Sequence, residues 1–150
     1  NIDSLAPNRV AAEYIPTIFP GYKLIKPETK FGNSRFDFYI EDNFDKIFLE
    51  VKGVTLNRDG IAMFPDAPTL RGAKHLRELA AARAQGYRAA VLFIIAMKGI
   101  FSFAPNRETD PDFADALLEA ARAGVEIYAA DCRVEPDFIA ADNKIPVCLE

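Results

Sequence analysis

Three ionisable residues, Asp37, Glu50 and Lys52, stand in strand-like sequence where a buried strand would prefer none: SRFDFYIEDNFDKIFLEVKGV, from Ser34 to Val54. Glu50 and Lys52 are two apart, which on a strand puts both on one face with Cα atoms roughly 7 Å apart. Flanked by Leu49, Val51 and Val54, a carboxylate and an ammonium cost several kcal/mol per ion to bury unless they pair, hold a metal or reach a wet cleft. Two carboxylates offer the hard oxygen donors that Mg²⁺ (or Mn²⁺) takes while keeping several waters. A cation so held lowers the pKa of a bound water and polarises a phosphoryl oxygen. An ammonium beside it orients the attacking water or offsets charge developing on the phosphate. The plain alternative is an ion pair on a half-exposed strand, Glu50 with Lys52 or Asp37 with Arg35, worth about 0 to 1 kcal/mol.

The elements that must position these groups follow from periodicity. Phe36, Phe38 and Ile40 alternate with Arg35, Asp37 and Tyr39, and Ile47, Leu49 and Val51 alternate with Phe48, Glu50 and Lys52, so two strands are predicted around the turn Glu41-Asp42-Asn43. Asp37 can then sit beside Glu50. Upstream, Pro7 opens a short helix with Val10, Ala11 and Tyr14 inward, ended by Pro16, and a first strand runs from Tyr22 to Thr29. Glu13 lies on that helix, either on its solvated face or as a third acid near the metal. Downstream, TLNRDGIAMFPDAPTL is an extended, turn-rich segment, and Thr69 caps a helix that buries Leu76, Leu79, Ala80 and Ala84 and stops at Gly86. Arg71, Lys74, His75 and Glu78 recur at helical spacing and share one polar stripe.

AAVLFIIAM is apolar on both faces and predicts a central buried strand, with IFSFAP folding back antiparallel to it through Lys98-Gly99. Asp110, Pro111 and Gly124 bracket a third helix, VEIYAA is a further strand, and Ile145 to Leu149 a last one. The order predicts an α/β fold with a mixed β-sheet flanked by helices.

A chain of 150 residues fits one domain and buries about 70% of its unfolded surface. Its 50% hydrophobic and 27% charged residues suit a globular protein. No apolar run approaches the ~20 residues of a membrane helix, so no membrane partner is expected. NIDSLAPNRVAAEY lacks the form of a signal peptide, which points to the cytoplasm, and the absence of an initiator Met suggests a piece of a longer protein. Cys132 and Cys148 are expected to be reduced thiols. A net charge of −4 and a pI near 5.1 argue against strong nonspecific nucleic-acid binding. The charge is uneven, however: Arg71, Lys74, Arg77, Arg83 and Arg88 face only Glu78 in their stretch, which permits a local basic stripe for phosphates. No Gly-rich phosphate loop, Ser-His-Asp set or zinc spacing supports a sugar-metabolising enzyme.

Asp on one strand with Glu-x-Lys on the next resembles the PD-(D/E)xK nuclease superfamily. Ser34-Arg35-x-Asp37-Phe38, Glu50-Val51-Lys52-x-Val54-Thr55-Leu56, Phe64-Pro65-Asp66-Ala67 and Arg71-Gly72-x-Lys74-His75-Leu76-x-Glu78-Leu79 together resemble the sugar fermentation stimulation protein (SfsA) family. The likeness runs from Asn8-Arg9 to Val125-Glu126-Ile127. It implies a single restriction-endonuclease-like domain over residues 1–150, normally preceded by an OB-fold-type domain absent here. It implies DNA as partner, Asp37 and Glu50 as metal ligands, and Asp37, Glu50 and Lys52 as the nuclease-type active site, with Glu13 where many relatives carry a first-helix acid. Arg71, Lys74, His75 and Arg77 are the expected nucleic-acid contacts. Without the OB-fold module this piece is expected to bind DNA less well; self-association into a homo-oligomer is compatible with the sequence. The alternative is a catalytically silent DNA-binding regulator of sugar-metabolism genes on the same scaffold.

Overall fold

Alternating apolar residues and well-marked helix caps produce twelve elements among residues 6–150, the part of the chain that the computed structural model describes. Residues 1–5, the start of the stretch read against a leader, lie outside the described residues. In order they are α1 (Ala6–Ile18), β1 (Leu24–Phe31), β2 (Ser34–Glu41), β3 (Lys46–Val54), β4 (Leu56–Arg58), β5 (Ile61–Phe64), α2 (Leu70–Ala84), β6 (Arg88–Ile95), β7 (Ser102–Pro105), α3 (Pro111–Arg122), β8 (Glu126–Glu135) and β9 (Phe138–Lys144).

Six strands form a mixed sheet in the order β1-β2-β3-β6-β8-β9. β3, β6 and β8 run parallel at its centre, while β1, β2 and β9 are joined antiparallel at the flanks. A core around Ile15, Leu49, Leu92 and Ile94 lies on the α1 side, and a second around Phe93, Leu76, Phe103 and Phe113 lies on the α2 and α3 side. Covered on both faces, β6 is buried from Ala89 to Ile95, as its unbroken apolar run requires.

The two caps behave as the residue types dictate. Thr69 Oγ1 accepts from Gly72 N at 3.0 Å, and Asp110 Oδ1 accepts from Phe113 N at 3.0 Å. Asp110 also accepts Thr69 N at 2.8 Å, so one buried carboxylate ties the start of α2 to the start of α3.

Gly72 is packed tightly between its own cap and α3: a Cβ there would lie 2.8 Å from Thr69 Cγ2 and 3.1 Å from the Phe113 ring. Gly72→Ala, which in an exposed helix would gain up to about 1 kcal/mol, is therefore expected to destabilise by about 1–3 kcal/mol. Thermal unfolding checks this, and a rise in Tm would contradict the close packing.

Four expectations give way to tertiary context. α1 continues through Pro16, which stays exposed, because Ile15 and Phe19 are buried on either side and Phe19 N still bonds Ile15 O. β7 does not return along β6, whose two edges are taken by β3 and β8; it joins β4 and β5 in a separate three-stranded sheet, parallel to β5. The last strand is Phe138–Lys144, and beyond it Val147 makes only an isolated bridge to Phe103. Finally, Phe36 packs in the core beneath α2 whereas Phe38 and Ile40 pack beneath α1, so the three do not share a face.

Candidate metal centre and basic cleft

The last discrepancy locates the site. β2 and β3 stay in antiparallel register from Glu41 opposite Lys46 to Phe38 opposite Leu49 and no further. On the other side the register passes from Pro27 opposite Phe38 to Thr29 opposite Phe36, skipping Glu28, which has φ 51. The strand therefore turns over at Asp37 and opens a gap against β3. Asp37 fills that gap with its side chain: Oδ2 accepts from Val51 N at 2.8 Å and Oδ1 from Asn8 Nδ2 at 3.0 Å. Its own backbone N–H donates to Glu50 Oε1 at 3.3 Å.

Glu50 is 4% exposed and projects toward α2, as the alternation of β3 demands. His75 Nδ1 lies 2.7 Å from Glu50 Oε2, and Lys52 Nζ lies 3.3 Å from the same oxygen and 3.0 Å from His75 Nδ1. A contact that short to a carboxylate puts the proton on Nδ1, which donates to Glu50 and leaves Nε2 as the second ring nitrogen for the adjoining cleft. Asp37, Glu50, Lys52 and His75 thus form one connected polar cluster.

The two carboxyls are pushed apart in acidity. Burial, and then the Glu50 charge, raise Asp37 above the usual carboxylate range against the Val51 and Asn8 hydrogen bonds. Burial also pushes Glu50 up, but the His75 hydrogen bond and the Lys52 ammonium outweigh it and hold the group below its ordinary value. Two carboxyls crowded at one spot, with the Lys52 ammonium on the Glu50 side, are the electrostatic setting a divalent ion relieves. The donor set fits such an ion: each carboxylate oxygen accepts from the protein yet keeps lone-pair capacity. Among the described residues no group of three or more His, Cys, Asp or Glu side chains is placed to hold a metal. Two carboxylates suit Mg²⁺ or Mn²⁺, which keep waters or substrate oxygens, better than an all-protein cage.

Beside this cluster, the β1–β2 turn and the first turns of α2 enclose a cleft of about 390 Å³ lined by Arg35, Leu70, Arg71, Lys74, His75 and Glu78, with Asn33 and Ser34. Arg71, Lys74 and His75 meet there because they share a helical stripe.

Two expected members stand elsewhere. Arg77 is off the stripe and pairs with Asp112 of α3 at 2.7 Å. Glu13 is exposed on α1, in a groove against Ala140, Ala141 and Asp142 of β9; five residues beyond Asn8 it has turned away from Asp37. Asp66 is exposed in the loop before α2. Asn8, whose amide reaches Asp37 across 29 residues, and Arg35, which turns to the cleft, are the two site residues that pattern reasoning missed. Period two does put Arg35 and Asp37 on one side of a regular strand, and only the break in β2 separates their tasks.

Comparison with known proteins bears on this geometry. Residues 5–138 match the family model described as the sugar fermentation stimulation protein RE domain. The chain is 49% identical over 151 residues to a sugar fermentation stimulation protein homolog of Ruminiclostridium cellulolyticum, covering 99% of this chain and 67% of that protein. It is 53% identical over 150 residues to the homolog of Desulfitobacterium hafniense strain Y51, covering 99% and 66%. Among solved structures, Pyrococcus furiosus SfsA in complex with Ca²⁺ superposes with a TM-score of 0.82 at 36% identity, covering 92% of this chain and 60% of that one. The chain therefore spans about two thirds of the length of these curated relatives.

Proposed function

This chain belongs to the sugar fermentation stimulation protein family, and from that premise we propose that its nuclease-like mixed α/β fold is a divalent-cation-dependent phosphodiesterase domain acting on DNA. The observation that carries the reading is the break in β2, which seats the Asp37 carboxylate beside Glu50 and Lys52 at the edge of a basic cleft. Asp37 and Glu50 would hold Mg²⁺ or Mn²⁺, which supplies water activation and polarisation of the phosphoryl group. The Ca²⁺ complex of the Pyrococcus furiosus relative supports a hard divalent ion here.

The chain's own residues divide the remaining work. Lys52, tethered to Glu50, brings a positive charge to the phosphoryl oxygen that gains charge. His75 fixes the Glu50 carboxylate through Nδ1, and Arg71, Lys74 and Arg35 hold the substrate's phosphates. Arg77, committed to Asp112, does not take part.

Calorimetric titration with Mn²⁺, followed by incubation with single-stranded, duplex and branched DNA, tests the reading. Saturable binding and strand cleavage, both lost in Asp37→Asn, are expected; a titration without heat and intact DNA on every substrate would refute it. One observation favours the silent regulator instead: all four carboxylate oxygens of Asp37 and Glu50 already accept protein hydrogen bonds or contacts. That reading predicts DNA binding that ignores cations and survives Asp37→Asn but weakens on Lys74→Ala.

A further inference from the structure

We propose that the cleft beside Glu50 takes an unpaired nucleotide, so that this domain engages single-stranded DNA or the frayed end of a duplex in preference to continuous double helix. The inference rests on the DNA reading above and adds the form of the strand.

The cleft is amphipathic in a particular way. Leu70, the first residue of α2, is 88% exposed and forms an apolar lip. Thr69 provides the cap, so nothing in helix formation asks for leucine there. Arg71 and Lys74 of the same helix line the cleft beside Leu70, and Arg35 of β2 lines it as well. Among the described residues none of these three is in an ion pair, whereas Arg77, Arg88, Lys98 and Arg107 are each matched to a carboxylate. Lys30, directly opposite Arg35 in the β1–β2 ladder, extends the cationic side. Asn33 and Glu78 add an amide and a carboxylate able to meet the edge of a base.

An apolar platform, a cationic wall and edge-reading groups within one cleft require a ligand that offers a base face, a phosphate and a free base edge together. In continuous duplex the base faces are covered by their neighbours and the Watson–Crick edges are paired; an unstacked nucleotide offers all three. The size agrees, since about 390 Å³ is the volume of a small-ligand pocket. So does the charge: three or four cations on a domain of net charge −4 give a short phosphate track, far from the 6–10 contacts of strongly salt-dependent duplex binders.

The test is fluorescence anisotropy with a labelled strand of about 12 nucleotides and with the same sequence closed into a blunt duplex, in EDTA so that no cation-dependent cleavage intervenes. The unpaired strand is expected to bind about tenfold more tightly than the duplex, with a log–log salt slope near −2, from about −0.7 for each of three contacts. Leu70→Ala should weaken the unpaired strand about threefold to fivefold and leave duplex binding unchanged, and Leu70→Phe should restore or strengthen it. Equal affinity for the two forms, with Leu70→Ala inert, overturns this inference and leaves the DNA reading standing. Binding of neither form overturns both.

Discussion

Glu50→Gln is expected to reduce cation-dependent DNA hydrolysis at least about 100-fold and, independently, to destabilise the fold. The carboxylate is a ligand in the proposed chemistry, but it is also the anion paired with Lys52 and the hydrogen-bond partner of His75, whose side chains are only 13% and 10% exposed. Glutamine keeps the shape and loses the charge, leaving a largely buried ammonium without its partner. Removing one side of a buried pair costs about 3–5 kcal/mol, which for a domain of this size lowers Tm by about 2–4 °C per kcal/mol. The pH dependence has a definite sign. Because Glu50 is held below its ordinary value, its contribution is present above the unfolded pKa of about 4.3 and is lost as pH falls through the lower folded value. The gap in Tm between wild type and Glu50→Gln should therefore close in acid. A variant as stable as wild type at neutral pH would mean that Lys52 and His75 do not depend on this carboxylate.

Asp37→Asn is expected to do the opposite to stability while also removing function. Asp37 is pushed up, first by burial and then by Glu50, so its ionised form costs the folded state free energy at neutral pH. That cost disappears as pH falls through the raised folded value. Asparagine is neutral, still accepts from Val51 N, and can donate to an Asn8 amide turned to present its oxygen, so the hydrogen bonds survive. Tm should rise at pH 7, and the advantage over wild type should vanish in acid. In wild type the cation offsets the repulsion instead, adding about 2.7 kcal/mol at a concentration 100 times its Kd. Thermal unfolding with and without Mn²⁺ reads both effects: wild type should gain stability from the ion and Asp37→Asn should not. A variant that is less stable at neutral pH, or that keeps the Mn²⁺ shift, would remove Asp37 from the site.

The opposite stability signs of two acids that touch one another come from what surrounds each. Glu50 meets the Lys52 ammonium of β3 and the His75 Nδ1 of α2; Asp37 is served only by an amide and a backbone N–H. Carboxylates whose environments drive their acidities apart are the usual mark of a working site.

Much of this was legible in the residues. Alternation along β3 assigns Ile47, Leu49 and Val51 to one face and Glu50 and Lys52 to the other, because successive strand side chains must point opposite ways. The stripe Arg71, Lys74, His75 follows equally from the helical repeat, and Thr69 and Asp110 cap their helices through local side-chain chemistry. Arg77, three residues after Lys74, was expected among the same contacts, and only its pairing with Asp112 of α3 takes it away from them.

What no local pattern contains is competition between distant partners. Period two extends Phe36, Phe38 and Ile40 along one face, but β2 gives up its pairing at Asp37 because Val51 N finds a carboxylate there in place of a backbone carbonyl. Asn8 is recruited from a helix 29 residues away, and β7 is diverted to a second sheet because β6 has no free edge. Periodicity determined which side chains share a surface, since that depends on the geometry of a single element. The tertiary fold alone decided which of those surfaces meet and where a strand must break, since each backbone group can satisfy only one neighbour and the chain as a whole chooses which.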